Sequence, residues 1–322
     1  MRQYIARRLL QMIPVLIGVS FLIFMIFALA PGDAVSSMVA ANPHMSAAKV
    51  AQLRHLYHLD EPKLMQYLRW FVGFLHGDLG ESIKLNQPVS HILNMYLWNS
   101  FYLQLTGFII SIIIAIPIGV ISATKQYSIF DNIFTVIALI GISLPSFFMG
   151  LLLMKWLAVD IHAFPVSGMT STGQYYKGFK LLGDVLYHMV LPGIVITLIN
   201  VSSLMRYVRM SMLEVIKQDY IRTARSKGLR EKVVIYKHAL RNGMIPVVTI
   251  LGMSIGTLFS GAVITEKIFA WPGIGNLTVT SINDRDYSVL MGINMIMVVF
   301  TLLGNLLADV CYALVDPRIK LK

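Results

Sequence analysis

Cysteine, charge and catalytic motifs are all scarce in this sequence. One cysteine, Cys311, stands among 322 residues, so no disulfide can form within the chain. It lies in the last apolar segment, where a lone thiol behaves as a small apolar side chain. Only 13% of residues are charged, against about 25% in soluble domains. That deficit removes the polar coat a water-exposed surface requires. No Gly-Lys pair is followed by Ser or Thr, so a Walker-type phosphate loop is missing. HExxH, paired cysteines and Cys/His ligand clusters are missing too. Gly141-Ile142-Ser143-Leu144-Pro145 lacks the closing glycine of a nucleophile elbow. The chain is therefore not expected to be an enzyme, nor to carry a cofactor or metal of its own.

What is present is apolar mass. The chain is 56% hydrophobic with a mean hydropathy of +0.69. A helix needs roughly 17–25 apolar residues to cross a bilayer. Six stretches free of Asp, Glu, Lys, Arg and His meet that length: Leu9–Gly32, Ile92–Thr124, Asn132–Met154, Met189–Met205, Gly243–Thr265 and Tyr287–Ala308. The second is too long for one crossing, which predicts a span over Ser100–Ala123 with an interfacial lead-in. The expected fold is an all-α, polytopic membrane bundle of six transmembrane helices. It divides into an N-terminal helix (1–32), a structured outer segment (33–91) and a five-helix core (92–322). Arg7 and Arg8 before an apolar run ending in Ala28-Leu29-Ala30 resemble a signal peptide, but the run exceeds the roughly 7–15 residues of a signal core. A retained helix is expected.

Basic residues set the expected orientation. With the N-terminus inside, Arg2, Arg7, Arg8, Lys125, a cluster from Arg206 to Arg241, and Arg318, Lys320 and Lys322 all fall inside; these are most of the 27 Lys and Arg residues. Both termini are then cytoplasmic. The cluster explains much of the net charge of +11 without nucleic acid, since it lacks the interleaved aromatics of a base-stacking surface.

The loops carry further signals. In the outer segment, Ser46 is a plausible N-cap for a helix over Ala47–Tyr57, and Pro62 opens a second over Lys63–Leu75. Leu64, Leu68, Phe71 and Leu75 form a stripe suited either to the membrane interface or to the bundle. The inner loop 207–242 is helical in pattern and basic, with one interruption at Gly228. Pro14, Pro117 and Pro145 are kink sites within spans. Gly252, Gly256 and Ser260 allow close helix approach. Asp309 is the one ionisable residue that reads as embedded, with a neighbouring helix, Arg206 or Arg209 as its expected partner.

Two function classes fit: a permease driven by a separate ATPase, or a self-contained secondary carrier or channel. A carrier shows paired repeats and midplane charge, and neither is found. A scaffold without transport is disfavoured by the kinked, glycine-bearing spans. A driven permease needs a stiff inner element to receive force, and 207–242 suits that need.

Within that loop, Asp219-Tyr220-Ile221-Arg222-Thr223-Ala224-Arg225-Ser226-Lys227-Gly228-Leu229, then His238-Ala239-Leu240-Arg241-Asn242 and Ile245-Pro246-Val247, resemble the coupling loop of binding-protein-dependent ABC importer permeases of the dipeptide/oligopeptide branch. Leu59-Asp60, Gln66-Tyr67, Gly77-Asp78-Leu79-Gly80 and Pro88-Val89 are similar to that branch's first outer loop. Ser143-Leu144-Pro145-Ser146-Phe147, Phe164-Pro165-Val166-Ser167-Gly168, Phe269-Ala270-Trp271-Pro272-Gly273-Ile274-Gly275, Arg285-Asp286-Tyr287 and Asp316-Pro317-Arg318-Ile319 continue the likeness almost to the end of the chain. Three departures stand out. Arg222-Thr223-Ala224 replaces the Glu-Ala-Ala of the wider motif, Leu240-Arg241 replaces its Leu-Pro, and Ser288 replaces a proline.

The resemblance implies a bacterial or archaeal inner-membrane permease. Its partners would be a second homologous permease, two ABC ATPase subunits that hydrolyse Mg-ATP, an extracytoplasmic substrate-binding protein and the lipid bilayer. A coupling helix over 219–230 would seat on an ATPase through Asp219, Arg222, Thr223, Ala224, Arg225, Lys227, Gly228 and Leu229. Gly228 would supply the bend, and small Ala224 the close approach. Pro145, Asn200, Ser202, Ser203 and Asn294 are the candidate translocation path. Di- or oligopeptides are the expected cargo; nickel complexes, haem, sugars or antimicrobial peptides are the alternatives within the same branch.

Overall fold

The computed structural model describes residues 2–32, 34–42, 44–82 and 84–315. Fourteen helices occur among them: α1 (Arg2–Ala28), α2 (Ala34–Ala41), α3 (Ala47–Leu56), α4 (Lys63–Leu75), α5 (Val89–Thr124), α6 (Ile129–Ser143), α7 (Ser146–Leu153), α8 (Phe179–Ile216), α9 (Asp219–Ser226), α10 (Glu231–Val233), α11 (Leu240–Thr257), α12 (Val263–Ile268), α13 (Ile274–Asp284) and α14 (Tyr287–Val315). Two wider-wound π segments, Met154–Asp160 and Val234–Ala239, prolong α7 and join α10 to α11. A two-stranded hairpin, β1 (Glu81–Ser82) with β2 (Gln87–Pro88), precedes α5. The run 316–319 and the basic residues Arg318, Lys320 and Lys322 lie outside the described residues.

Five helical stretches are long and apolar enough to cross a membrane: Tyr4–Ala28, Val89–Thr124, Phe179–Ile216, Glu231–Thr257 and Tyr287–Val310. The sixth expected span is broken. α6 and α7, with its π extension, bend by 105° at the junction. Leu144 there is extended, with φ −75° and ψ 127°, because the ring of Pro145 crowds the helical conformation of the residue before it. The expected kink is thus a full break. Pro14, Pro117, Pro192 and Pro246 stay inside continuous helices.

Several expected boundaries were too short. α5 and α8 run for 36 and 38 residues, or roughly 55 Å at 1.5 Å per residue, so both project past a hydrocarbon core of about 30 Å. The start of α5 is packed within the bundle. Val89, Ile92 and Leu93 are buried with Ile274, Leu277, Val289 and Ile293 from α13 and α14. Likewise, the last apolar residues expected in the fifth span fall beyond α11, past a turn at Gly261 (φ +70°).

Small residues let the long helices touch. Ser100, Gly107, Ser111, Ala115 and Gly119 are buried along α5. A Cβ on Gly107 would lie 2.6 Å from Ile196 Cγ2, and one on Gly119 would lie 2.8 Å from Val208, so α5 and α8 pack side by side in parallel. Gly256 does the same for α11 against α14, where its Cβ would meet Gly304 Cα at 3.1 Å. The glycine spacing read from the sequence therefore serves packing within this chain.

The outer-segment helices form as expected. Ser46 Oγ accepts from Lys49 N as the cap of α3, and α4 spans Lys63–Leu75. Tyr67 is buried, its hydroxyl paired with Ser20 Oγ of α1 at 3.0 Å and its ring edge-on to Phe21 and Phe24. That contact turns Leu64, Leu68 and Leu75 outward, while Phe71, the fourth member of the stripe, stacks on Tyr67.

Candidate functional site

α9 stands apart at one end of the bundle, framed by two breaks where the sequence suggested one. α8 stops at Ile216, and Gln218 is extended at φ −71° and ψ 148°. At the other side, Gly228 adopts φ +75°, a conformation open to glycine but strained for residues with a Cβ. The helix is also shorter than the expected 219–230, ending at Ser226. Asp219 in its first turn and Arg225 in its last match the positive and negative ends of the helix dipole.

One face of α9 is anchored. Ile221 is fully buried and Ala224 nearly so, within a cluster that includes Met212, Val234, Ile235 and Ala239. Ala224 permits close approach of α9 to its own chain. The floor beneath is tight: Ser211 Oγ donates to Gly243 O at 2.6 Å, and a Cβ on Gly243 would sit 2.7 Å from Met212 Sδ. Asp219, Arg222, Thr223, Arg225, Lys227 and Gly228 are exposed, as are Tyr220 and Leu229. Arg225 reaches across the Gly228 turn to Glu231, with Nη2 to Oε1 at 2.7 Å and Nε to Oε2 at 3.2 Å. That hydrogen bond raises the pKa of the Arg225 guanidinium, and partial desolvation by its neighbours raises that of the largely exposed Tyr220 phenol. Arg222 and Lys227 thus supply the outward positive charge. Among the described residues, this surface holds no nucleophile–base pair and presents mainly exposed charged side chains.

The five path residues do not converge. Asn200 and Ser203 line a groove of about 210 Å³ with Gln104, Ser111, Ser254 and Thr257. None of its described lining residues carries a formal charge. Ser202 points elsewhere, donating to Leu198 O and abutting Gly141. Pro145 is exposed at the α6–α7 break. Asn294 bonds Leu290 O one turn earlier in α14. Asn200, Ser203 and Tyr207 fall on one stripe of α8, and Tyr207 is about 14 Å along the axis from the helix end that carries α9.

Embedded charges are paired across helices. Asp309 of α14 pairs with Arg8 of the neighbouring α1 at 3.0 Å, the first of the expected partners, rather than with Arg206 or Arg209. Arg209 instead grips Asp131, which is 1% exposed. Glu266, which directly follows the fifth apolar stretch, is fully buried. A search for stretches free of charge excludes such residues from spans by construction; a carboxylate directly bordering an apolar run was the available signal.

Known proteins give a consistent setting. Residues 115–321 match the family described as binding-protein-dependent transport system inner membrane component, and residues 1–115 match its N-terminal companion. The chain is 41% identical to the oligopeptide transport system permease protein AppB of Bacillus subtilis, covering 99% of this chain and all of that protein. It is 40% identical to the dipeptide transport system permease protein DppB of Escherichia coli K12, over the full length of both. Among solved structures, a chain of the MetNI methionine ABC transporter in an inward-facing conformation shares the fold, with a TM-score of 0.54 and 16% identity over 70% of this chain and 96% of that one.

Proposed function

The chain belongs to the binding-protein-dependent transport system inner membrane components, and we propose that it forms, with a second permease, the path by which an ATP-binding-cassette importer admits short peptides. It is a permease subunit, not an enzyme. Its relatives named for oligopeptide and dipeptide transport cover it end to end, which supports peptides over the nickel, haem or sugar alternatives. Two ATPase subunits hydrolysing Mg-ATP and an extracytoplasmic binding protein complete the assembly. Both termini face the cytoplasm, with 207–242 on the ATPase side.

The observation that carries this reading is α9: a short helix with its apolar row sunk into the bundle and its Arg222–Lys227 face outward. In this reading an acidic groove on one ATPase receives that face. Because Ile221 and Ala224 lock α9 to α8 and the α10–α11 arm, displacement of α9 moves whole helices rather than a loop. α8 then carries the displacement to Asn200 and Ser203. An uncharged, hydrogen-bonding groove suits a peptide backbone, which needs donors and acceptors but varies in side chain.

Copurification from the native membrane, followed by uptake of radiolabelled alanyl-alanine into proteoliposomes, tests the assignment. ATP-dependent uptake by the complex, and none by this chain alone, is the expected result. Uptake by the isolated chain would instead establish the secondary carrier.

A further inference from the structure

Glu266 takes no part in the mechanism above, yet it is the most enclosed carboxylate among the described residues, at 0% exposure. Its Oε1 accepts from Ser100 Oγ at 2.7 Å and from Ala262 N at 3.0 Å. Its Oε2 accepts from Gly275 N at 2.7 Å and from Asn276 N at 3.2 Å. Four donors converge on one group, and a carboxylate is the side chain with acceptors alone to offer them. Two of the donors are backbone N–H groups at the start of α13, where the helix dipole favours negative charge.

The backbone is wrapped around this carboxylate. A Cβ on Gly261, Gly273 or Gly275 would come within 2.9, 2.4 or 2.9 Å of a Glu266 oxygen. Ser100 Oγ, while donating to Glu266, also accepts from Ile274 N at 2.7 Å. Beside it, Trp271 Nε1 donates to Asn99 O at 3.1 Å, and Asn99 Nδ2 donates to Pro272 O at 2.8 Å. The turn between α12 and α13 is thereby fastened to α5.

The placement of these ties gives them meaning. Ser100 lies one turn before Gln104 on α5, and Ala262 lies two residues after Ser260, just past α11. Gln104 and Ser260 both line the uncharged groove. Glu266 therefore bridges the two walls at the mouth remote from α9. We propose that Glu266 is a positioning residue that sets the width of this mouth and so the amount of cargo passed per ATP consumed. The proposal rests on the importer reading above.

The test uses the whole complex with its native partners, in three forms: wild type, Glu266→Gln and Glu266→Ala. Glutamine keeps the shape but turns one acceptor oxygen into a donor, leaving a backbone N–H facing an N–H. Two readouts are taken. One is alanyl-alanine uptake per ATP hydrolysed in proteoliposomes. The other is the spin-label distance distribution between Tyr102→Cys on α5 and Met253→Cys on α11, in a Cys311→Ser background. Both labelled positions are exposed. Uptake per ATP is expected to fall about 2- to 30-fold, the range of couplings carried by residues remote from a ligand, with glutamine milder than alanine. Binding-protein-stimulated ATPase persists, which a general failure to fold would abolish, and the distance distribution broadens. Wild-type uptake per ATP, or a wild-type distribution, in both variants overturns the proposal. If alanine prevents assembly, the glutamine variant decides alone. A wild-type complex without ATP-driven uptake would sink the importer reading, while the distance widths would still decide whether Glu266 sets the mouth.

Discussion

Arg209 and Asp131 form a two-pronged ion pair between α8 and α6, with Nε to Oδ1 at 2.7 Å and Nη2 to Oδ2 at 2.8 Å. Asp131 also accepts from Tyr127 N at 2.9 Å, so it ties the α5–α6 turn to the helix that carries α9. Such a pair stabilises little relative to apolar residues of similar size, but removing one partner strands the other in a poorly solvated place.

Asp131→Ala is therefore expected to destabilise the protein by about 3 kcal/mol, the low end for a broken buried pair, because the Arg209 side chain keeps 21% exposure. The double change Asp131→Leu with Arg209→Leu should cost clearly less. Thermal unfolding in lipid nanodiscs checks the order. A double variant as unstable as Asp131→Ala would mean that the pair itself, not the stranded charge, supplies the stability.

Gly228→Val and Ala224→Trp should both stop transport for different reasons. Nothing lies within 4 Å of a Cβ at Gly228, so valine meets no clash there. Its cost is the left-handed backbone, roughly 1–2 kcal/mol, which is relieved by re-aiming α9. Tryptophan at Ala224 cannot fit among Val234, Ile235 and Met212 and must lift the helix off the bundle. Membrane insertion should survive in both, since neither site lies in an apolar stretch long enough to span. Vesicle uptake with a fractionation control reads this; full uptake by either variant removes coupling from α9.

Charge reversal on the outward face separates docking from packing. Arg222→Glu with Lys227→Glu should abolish copurification of the ATPase. Arg225→Glu should do less to copurification, because Glu231 already engages that guanidinium; its main effect is like-charge repulsion across the Gly228 turn. Equal loss in all variants would mean that α9 is held by shape rather than charge.

How much was legible in the sequence follows from what each signal measures. Ser46 and Pro62 mark helix starts through local chemistry, and α3 and α4 begin where those residues predict. Gly228 was found because only backbone freedom explains a glycine inside a basic helical pattern. The second break at Gln218 has no such mark: it arises because Ile221 and Ala224 find a better contact by turning inward, which is a tertiary preference. The charge-free rule located the membrane segments but cut α8 at both ends. It also hid Asp131 and Glu266, whose buried side chains are held by partners, Arg209 and Ser100, that lie far away in sequence. Of the five candidate path residues, Asn200 and Ser203 line one groove. Ser202 was not distinguishable from them, since its direction depends on which helix face meets α6.

The α11–α14 contact predicts an asymmetry. A Cβ at Gly304 would lie 2.4 Å from Gly256 Cα, whereas one at Gly256 would lie 3.1 Å from Gly304 Cα. Overpacking costs about 1–3 kcal/mol, so Gly304→Ala should approach the upper figure and Gly256→Ala the lower. Thermal stability of the two single variants measures the difference; the reverse order would show that the helices do not cross as described.

Gly141 and Ser202 offer a sharper check on the α6–α8 seam. A Cβ at Gly141 would overlap Ser202 Oγ at 2.1 Å, with Ser202 Cβ at 3.1 Å. The hydroxyl is held by its hydrogen bond to Leu198 O at 2.7 Å, so it cannot swing away without losing that partner. Gly141→Ala alone should therefore destabilise the protein by about 1–3 kcal/mol. Ser202→Ala alone removes a hydrogen bond that contributes about 1 kcal/mol. Combined, the two changes remove the oxygen from the clash, leaving only the 3.1 Å carbon contact, which a small shift accommodates. The double variant should then be more stable than the sum of the singles predicts, by at least about 0.5 kcal/mol. Strict additivity in that cycle would place Ser202 away from Gly141 and return it to the groove with Asn200 and Ser203.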